Sequence, residues 1–162
     1  DADRDAVDVL ATILSGMSGR LFQSVREQQG LSYALGASHT PGWDPGYVVV
    51  YAATRPEERN RVLKILEEQL EVIIRTPPTS EELEQATRYL IGSHRMGLQQ
   101  VTGLARRCTL DELYGVGYDA WRSYETRINA VSVEMVQRAA QDYLQLSHRA
   151  EVVVGPDGAA GQ

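Results

Sequence analysis

The chain has 162 residues, 43% of them hydrophobic and 23% charged, enough for one domain with its own core. The net charge of -6 and pI near 5.1 leave no basic footprint for nucleic acid. No apolar run approaches the 18 residues that a membrane span needs, and a lone cysteine, Cys108, excludes an internal disulfide.

The opening "DADRDAVDVLATILSG" reads as a helix over 4–15. Val7, Leu10, Ala11 and Leu14 share a face, and Gly16 ends it. With no preceding Met, the chain is expected to be a piece of a longer protein, which leaves targeting open, and a soluble fold is the expectation. "SGRLFQSVREQQG" gives a short second helix, with Ser18 as a cap and Gly30 at its end. "LSYALGASHT" then alternates, and "GYVVVYAAT" is rich in Val and Tyr. The "PGWDPG" between them, with Trp43 expected to be exposed or at an interface, predicts an antiparallel hairpin. Arg26 therefore stands at the end of a helix and Tyr33 at the start of a strand, on either side of one tight turn at Gly30.

The remainder is helical. Val62, Leu66, Leu70 and Ile73 form one stripe over 55–76, with acids such as Glu67, Glu68 and Glu71 on a solvated face. Pro77 and Pro78 stop that helix. Thr79 and Glu82 have capping-box spacing at the head of a helix reaching about Gln100, with Leu83, Leu90 and Leu98 inward. Helices follow near 103–114, 119–129 and 132–145, the last two with Asp119 and Ser132 as caps. Tyr118, Trp121 and Tyr124 pack near one helix start, and Cys108 sits on a helical pattern as a small hydrophobe. Arg75, Arg88, Arg95, Arg106 and Arg107 are interleaved with acids and read as solvated faces. "RAEVVVGP" is expected to be a closing strand, and 156–162 a frayed tail after a domain over 1–155. The order gives an α+β fold, an antiparallel sheet with helices on one face. Three strands are few for so many helices, so the sheet is expected to pair with another chain or with strands upstream.

"SGRLFQSVREQQGLSYALGAS", then the hairpin, "TSEELEQATRYLIGS" and "SVEMVQRAAQDYL" with "AEVVVGP", resemble the second domain of insulinase and pitrilysin type zinc metallopeptidases, the family that includes mitochondrial processing peptidase. The resemblance covers roughly residues 6–155. It implies paired domains closing around a peptide, one half carrying H-x-x-E-H and zinc, the other zinc-free and contacting substrate. Strands normally precede the first helix in that domain, so truncation at the N-terminus is implied too. His39, His94 and His148 are the three histidines, none at metal-ligand spacing, so this chain is expected to be the zinc-free half, with zinc in a catalytic domain of the same chain or a partner subunit. His94 continues the Leu90 and Leu98 stripe and reads as a hydrogen-bonded histidine at the core boundary.

The resemblance implies a role for Arg26 and Tyr33, seven positions apart: holding the substrate backbone beside the zinc. The chemistry fits the residue types. A carbonyl oxygen gains negative charge as water attacks, and fixed donors lower that barrier. Arg supplies permanently protonated donors and Tyr a neutral one on a rigid ring. The residues alone leave open a plainer reading, in which Arg26 pairs with Glu27 or a neighbouring helix and Tyr33 covers a core edge. Two other readings stand beside the peptide-binding half: a structural or assembly domain of the same fold with no part in proteolysis, and an unrelated helical interaction domain.

Overall fold

A computed structural model describes residues 3–16, 19–27, 30–42 and 46–155, without the side chains of Arg26, Glu27 and Tyr33. Helix α1 spans Arg4–Leu14. Ala6, Val9 and Ile13 are buried as well as the expected Val7, Leu10, Ala11 and Leu14. A helix apolar nearly all round belongs at the centre of a fold, and α1 packs on β1, α3, α5 and α6 (ranges below).

The expected second helix is a π-helical segment, Phe22–Glu27, anchored in the core by Leu21 and Val25. The Ser18 cap lies outside the described residues. Past the segment, the Leu31 N–H donates to the Val25 carbonyl at 3.1 Å, and Gly30 takes φ +63°, which a side chain would resist. Strands β1, Ser32–Thr40, and β2, Tyr47–Thr54, form an antiparallel pair. Trp43 and its turn fall outside the described residues.

The inner face carries Leu35, Ala37, Val48, Val50 and Ala52 against the helices; Tyr47, Val49 and Tyr51 of β2 are exposed on the other. Helices on one face of an antiparallel sheet give the expected α+β architecture.

Helix α2, Arg59–Arg75, buries Val62, Ile65, Leu66, Leu70 and Ile73, the predicted stripe with one addition. Its acidic face is laced with ion pairs, Lys64 with Glu68 and Arg75 with Glu71. Helix α3, Ser80–Leu98, starts on the predicted box: the Glu82 N–H donates to Thr79 Oγ1 at 3.2 Å and the Thr79 N–H to Glu82 Oε2 at 2.8 Å. Helix α4, Val101–Leu113, carries a half-buried Cys108. A 3-10 turn, Ala120–Ser123, leads into α5, Tyr124–Asn129. Asp119 makes no side-chain cap there; the Arg122 N–H donates to the Asp119 backbone carbonyl at 3.0 Å. Of the three aromatic residues near that start, Tyr124 is buried, Trp121 half-buried and Tyr118 exposed. Helix α6, Val133–Tyr143, is capped by Ser132 as expected, its Oγ accepting from the Met135 N–H.

The closing strand does not form. Residues 149–155 carry no strand, and Val152 and Val154 are 83% and 93% exposed. A strand exists only within a ladder, and β1 and β2 bond only each other among the described residues. The segment is held to α2 through its charges, Arg149 pairing with Glu67 and Glu151 with Arg59. The expected frayed tail lies outside the described residues.

Candidate functional site

The backbone departs from regular geometry on both sides of Gly30. Arg26 belongs to the π-helical segment, a form rare outside functional positions. Tyr33 is the extra residue of a β-bulge: Ser32 pairs with Thr54 and Ala34 with Ala53, so nothing on β2 opposes it. Bulges re-aim a side chain at the rim of a sheet. This one is braced from three sides. Ser32 is buried, its hydroxyl 2.7 Å from the Ala53 carbonyl and 3.0 Å from that of Ala34, and Thr54 Oγ1 donates to the Leu31 carbonyl at 2.7 Å. The side chains of Arg26 and Tyr33 lie outside the described set.

A cleft of about 670 Å³ runs beside β1, between α1 and α3. Asp8, Ser15, Ala37, His39, Glu82 and Tyr89 are among its walls. Ser15 Oγ donates to the Ala37 carbonyl and accepts from the Ala37 N–H. Ala37 thus turns both backbone groups away from β2. By the alternation of an antiparallel ladder, Leu35 and His39 turn theirs the same way, toward the edge that no strand pairs among the described residues. His39 Nδ1 lies 2.7 Å from Asp8 Oδ1, both side chains largely covered. Opposite, Arg20 grips Glu82 in a fork at 2.6 and 2.8 Å. That hydrogen bond, chiefly, holds the Glu82 carboxyl below the usual range against the opposing effect of burial. Sequence reasoning missed the Asp8–His39 and Ser15–Ala37 contacts; the only signal for the first was an acid within the apolar stretch from Ala6 to Ala11.

Zinc does not fit the residues here. Each imidazole is committed on a different element: His39 to Asp8, His94 Nε2 to the Trp121 carbonyl at 3.1 Å, His148 Nδ1 to Gln145. Among the described residues, no group of three His, Cys, Asp or Glu could hold a metal ion. His94 also stacks on Tyr124, centroids 4.2 Å apart, and burial lowers its pKa. Burial pushes the Tyr124 phenol up to about 12.

Residues 1–90 match the family described as peptidase M16 inactive domain. The chain belongs to that family. An uncharacterised zinc protease of Streptomyces coelicolor is 37% identical over 89% of this M16 inactive domain and 32% of its own length. One from Bacillus subtilis is 29% identical over 93% of the domain and 37% of its own length. The domain therefore spans about a third of these curated relatives. Among solved structures, a peptidase M16 inactive domain from Pseudomonas fluorescens superposes with TM-score 0.82 at 26% identity, over 90% of this chain and 35% of that one. A zinc protease structure from Bordetella pertussis gives TM-score 0.78 at 24% identity over 93% and 83%, a likeness of fold. None of the described helices is long and apolar enough to cross a membrane.

Proposed function

We propose that this M16 inactive domain is the substrate-binding, zinc-free half of a metalloendopeptidase. It presents Arg26 and Tyr33 to the backbone of an extended peptide, with zinc held by another domain of the full protein or by a partner subunit. The observation that carries the reading is the pairing of two backbone irregularities around Gly30. A π-helical segment holds Arg26 and a braced bulge holds Tyr33. Such departures cost stability, and they are found where a side chain must be aimed.

An extended peptide would add to the open edge of β1, where Leu35 and His39 offer backbone donors and acceptors. At the scissile carbonyl, the guanidinium of Arg26 and the hydroxyl of Tyr33 donate to the oxygen as it gains charge. Alone, the domain hydrolyses nothing.

The test uses the full protein. Arg26→Ala and Tyr33→Phe should each lower kcat by about 10²–10³, as loss of an oxyanion donor does, while thermal stability stays nearly unchanged. Native turnover in both variants would instead support an assembly domain of the same fold.

A further inference from the structure

A second cleft, of about 560 Å³, lies away from β1, where the start of α1 meets the 3-10 turn and α5. Its charged walls are Arg4, Asp5, Asp119, Arg122 and Arg127. Residues more than a hundred positions apart are brought together there by the packing of α1 on α5.

The three guanidiniums differ in how they are held. Arg127 is fixed: Nε donates to Asp5 Oδ2 at 3.0 Å, and Nη1 donates to the Ala120 carbonyl at 3.1 Å and to Ser123 Oγ at 2.7 Å. That uses three of the five donors and leaves both N–H groups of Nη2 without a partner among the described residues. Arg122 lies on the face of Trp121, 4.5 Å from the ring centroid, with no ion pair among the described residues. Arg4 is half-buried and likewise without an ion pair among them. In the first turn of α1 its charge opposes the helix dipole, so local energetics do not explain an Arg there. Elsewhere on the surface Arg75, Arg88 and Arg95 each find a glutamate while Arg106 and Arg138 have no ion pair among the described residues, so it is the grouping of three guanidiniums in one cleft that sets this place apart.

We infer that this cleft is a binding site for a single carboxylate on a peptide, held between Arg4, Arg122 and the free Nη2 of Arg127. The charges choose the ligand. Three guanidiniums against the carboxylates of Asp5 and Asp119 leave one positive charge, which one carboxylate neutralises and a phosphate dianion overshoots. Planar guanidiniums match the two oxygens of a carboxylate. Asp119, on the same wall, offers an acceptor to the N–H groups that flank a peptide carboxylate and further disfavours a dianion. The carboxylate comes from a chain end or from an acidic side chain.

Calorimetric titration of the full protein separates these sources with three N-acetylated tetrapeptides built otherwise from uncharged residues. One has a free C-terminal carboxylate, one is amidated, and one is amidated with a single Glu. Binding of the first or the third, weakened by added NaCl, supports the site and identifies the source. The paired substitution R4Q and R122Q should weaken that binding at least about tenfold, the loss of one charge-assisted hydrogen bond or more. Neither position has an ion pair among the described residues, so the fold should hold, checked by circular dichroism. Arg106→Gln, at an exposed arginine that lines neither cleft, should leave this affinity unchanged, so a loss in the paired variant is specific to this cleft. The inference is overturned by no binding of either carboxylate peptide to the native protein. Equal binding of the neutral amide would overturn it too, as would equal binding by the doubly substituted protein.

Discussion

Arg20 and Glu82, 62 positions apart, are joined by a two-bond fork at 2.6 and 2.8 Å, and Glu82 at the same time closes the capping box of α3. One carboxylate ties the segment before the π-helix to the helix that walls the β1 cleft. Glu82→Gln keeps the shape, removes the charge and weakens both contacts. The expected loss is about 2 kcal/mol at pH 7, since hydrogen bonds to charged groups contribute roughly 1.5–3 kcal/mol and caps about 1. The folded-state pKa is lowered, chiefly by Arg20, so the native contribution is fully present above the unfolded value and fades as pH falls through the folded one. Urea titrations at several pH values should show a shallower acid limb in the variant below about pH 4.3. Parallel limbs would mean the fork adds nothing.

Two glycines should separate space from conformation. At Gly19 an added Cβ would stand 1.9 Å from the Ser15 carbonyl oxygen, a backbone atom that cannot swing aside. Gly19→Ala should cost about 3 kcal/mol or more, with loss of soluble protein a common outcome. At Gly30 the same atom meets nothing within 4 Å, but φ is +63°. Gly30→Ala should therefore cost only about 1–2 kcal/mol. In the full protein it should also lower turnover if the turn aims Arg26 and Tyr33. Denaturation midpoints and kinetics of the two variants settle both points.

The legibility of these features in sequence follows from their range. Thr79 with Glu82, and Ser132, announce helix starts through contacts three residues long, and the sequence contains all of the relevant chemistry. Asp119 has the right residue type, but the Arg122 N–H that its side chain would cap donates to its backbone carbonyl, the closure of a 3-10 turn. The valines at 152–154 have the composition of a strand but no neighbouring one among the described residues, a condition no local pattern records. The same holds at the site. Arg26, Gly30 and Tyr33 were readable as a turn flanked by two polar side chains. The π-helical winding and the bulge depend on Val25, Ser32 and Thr54 meeting partners across the fold.

His94 provides a pH signature of its own. Burial lowers its pKa, offset in part by the Trp121 carbonyl, and Arg107, Arg127 and Glu125 surround it. A folded-state pKa below the unfolded one means that the unfolded chain binds more protons, so stability falls as pH drops below about 6.5. His94→Gln should abolish that slope between pH 7 and pH 5. At pH 8 it should cost about 1 kcal/mol, from loss of the stack on Tyr124. A native-like slope in the variant would place the titrating group elsewhere.

Core truncations should rank by position rather than by chemistry. Leu10 is 0% exposed on α1, which touches β1, α3, α5 and α6, so neighbours close the space from several directions and none can collapse freely into a void. Leu66, 8% exposed, lies on α2 nearer the rim, where relaxation is easier. Both Leu→Ala changes fall in the range of about 2–5 kcal/mol, Leu10→Ala toward the top and Leu66→Ala toward the bottom. Val154→Ala, at a residue 93% exposed, serves as the control and should change stability by less than about 0.5 kcal/mol. If Leu66→Ala proved the costlier, the helix organising the core would be α2 rather than α1, and the cleft beside β1 would lose its rigid wall.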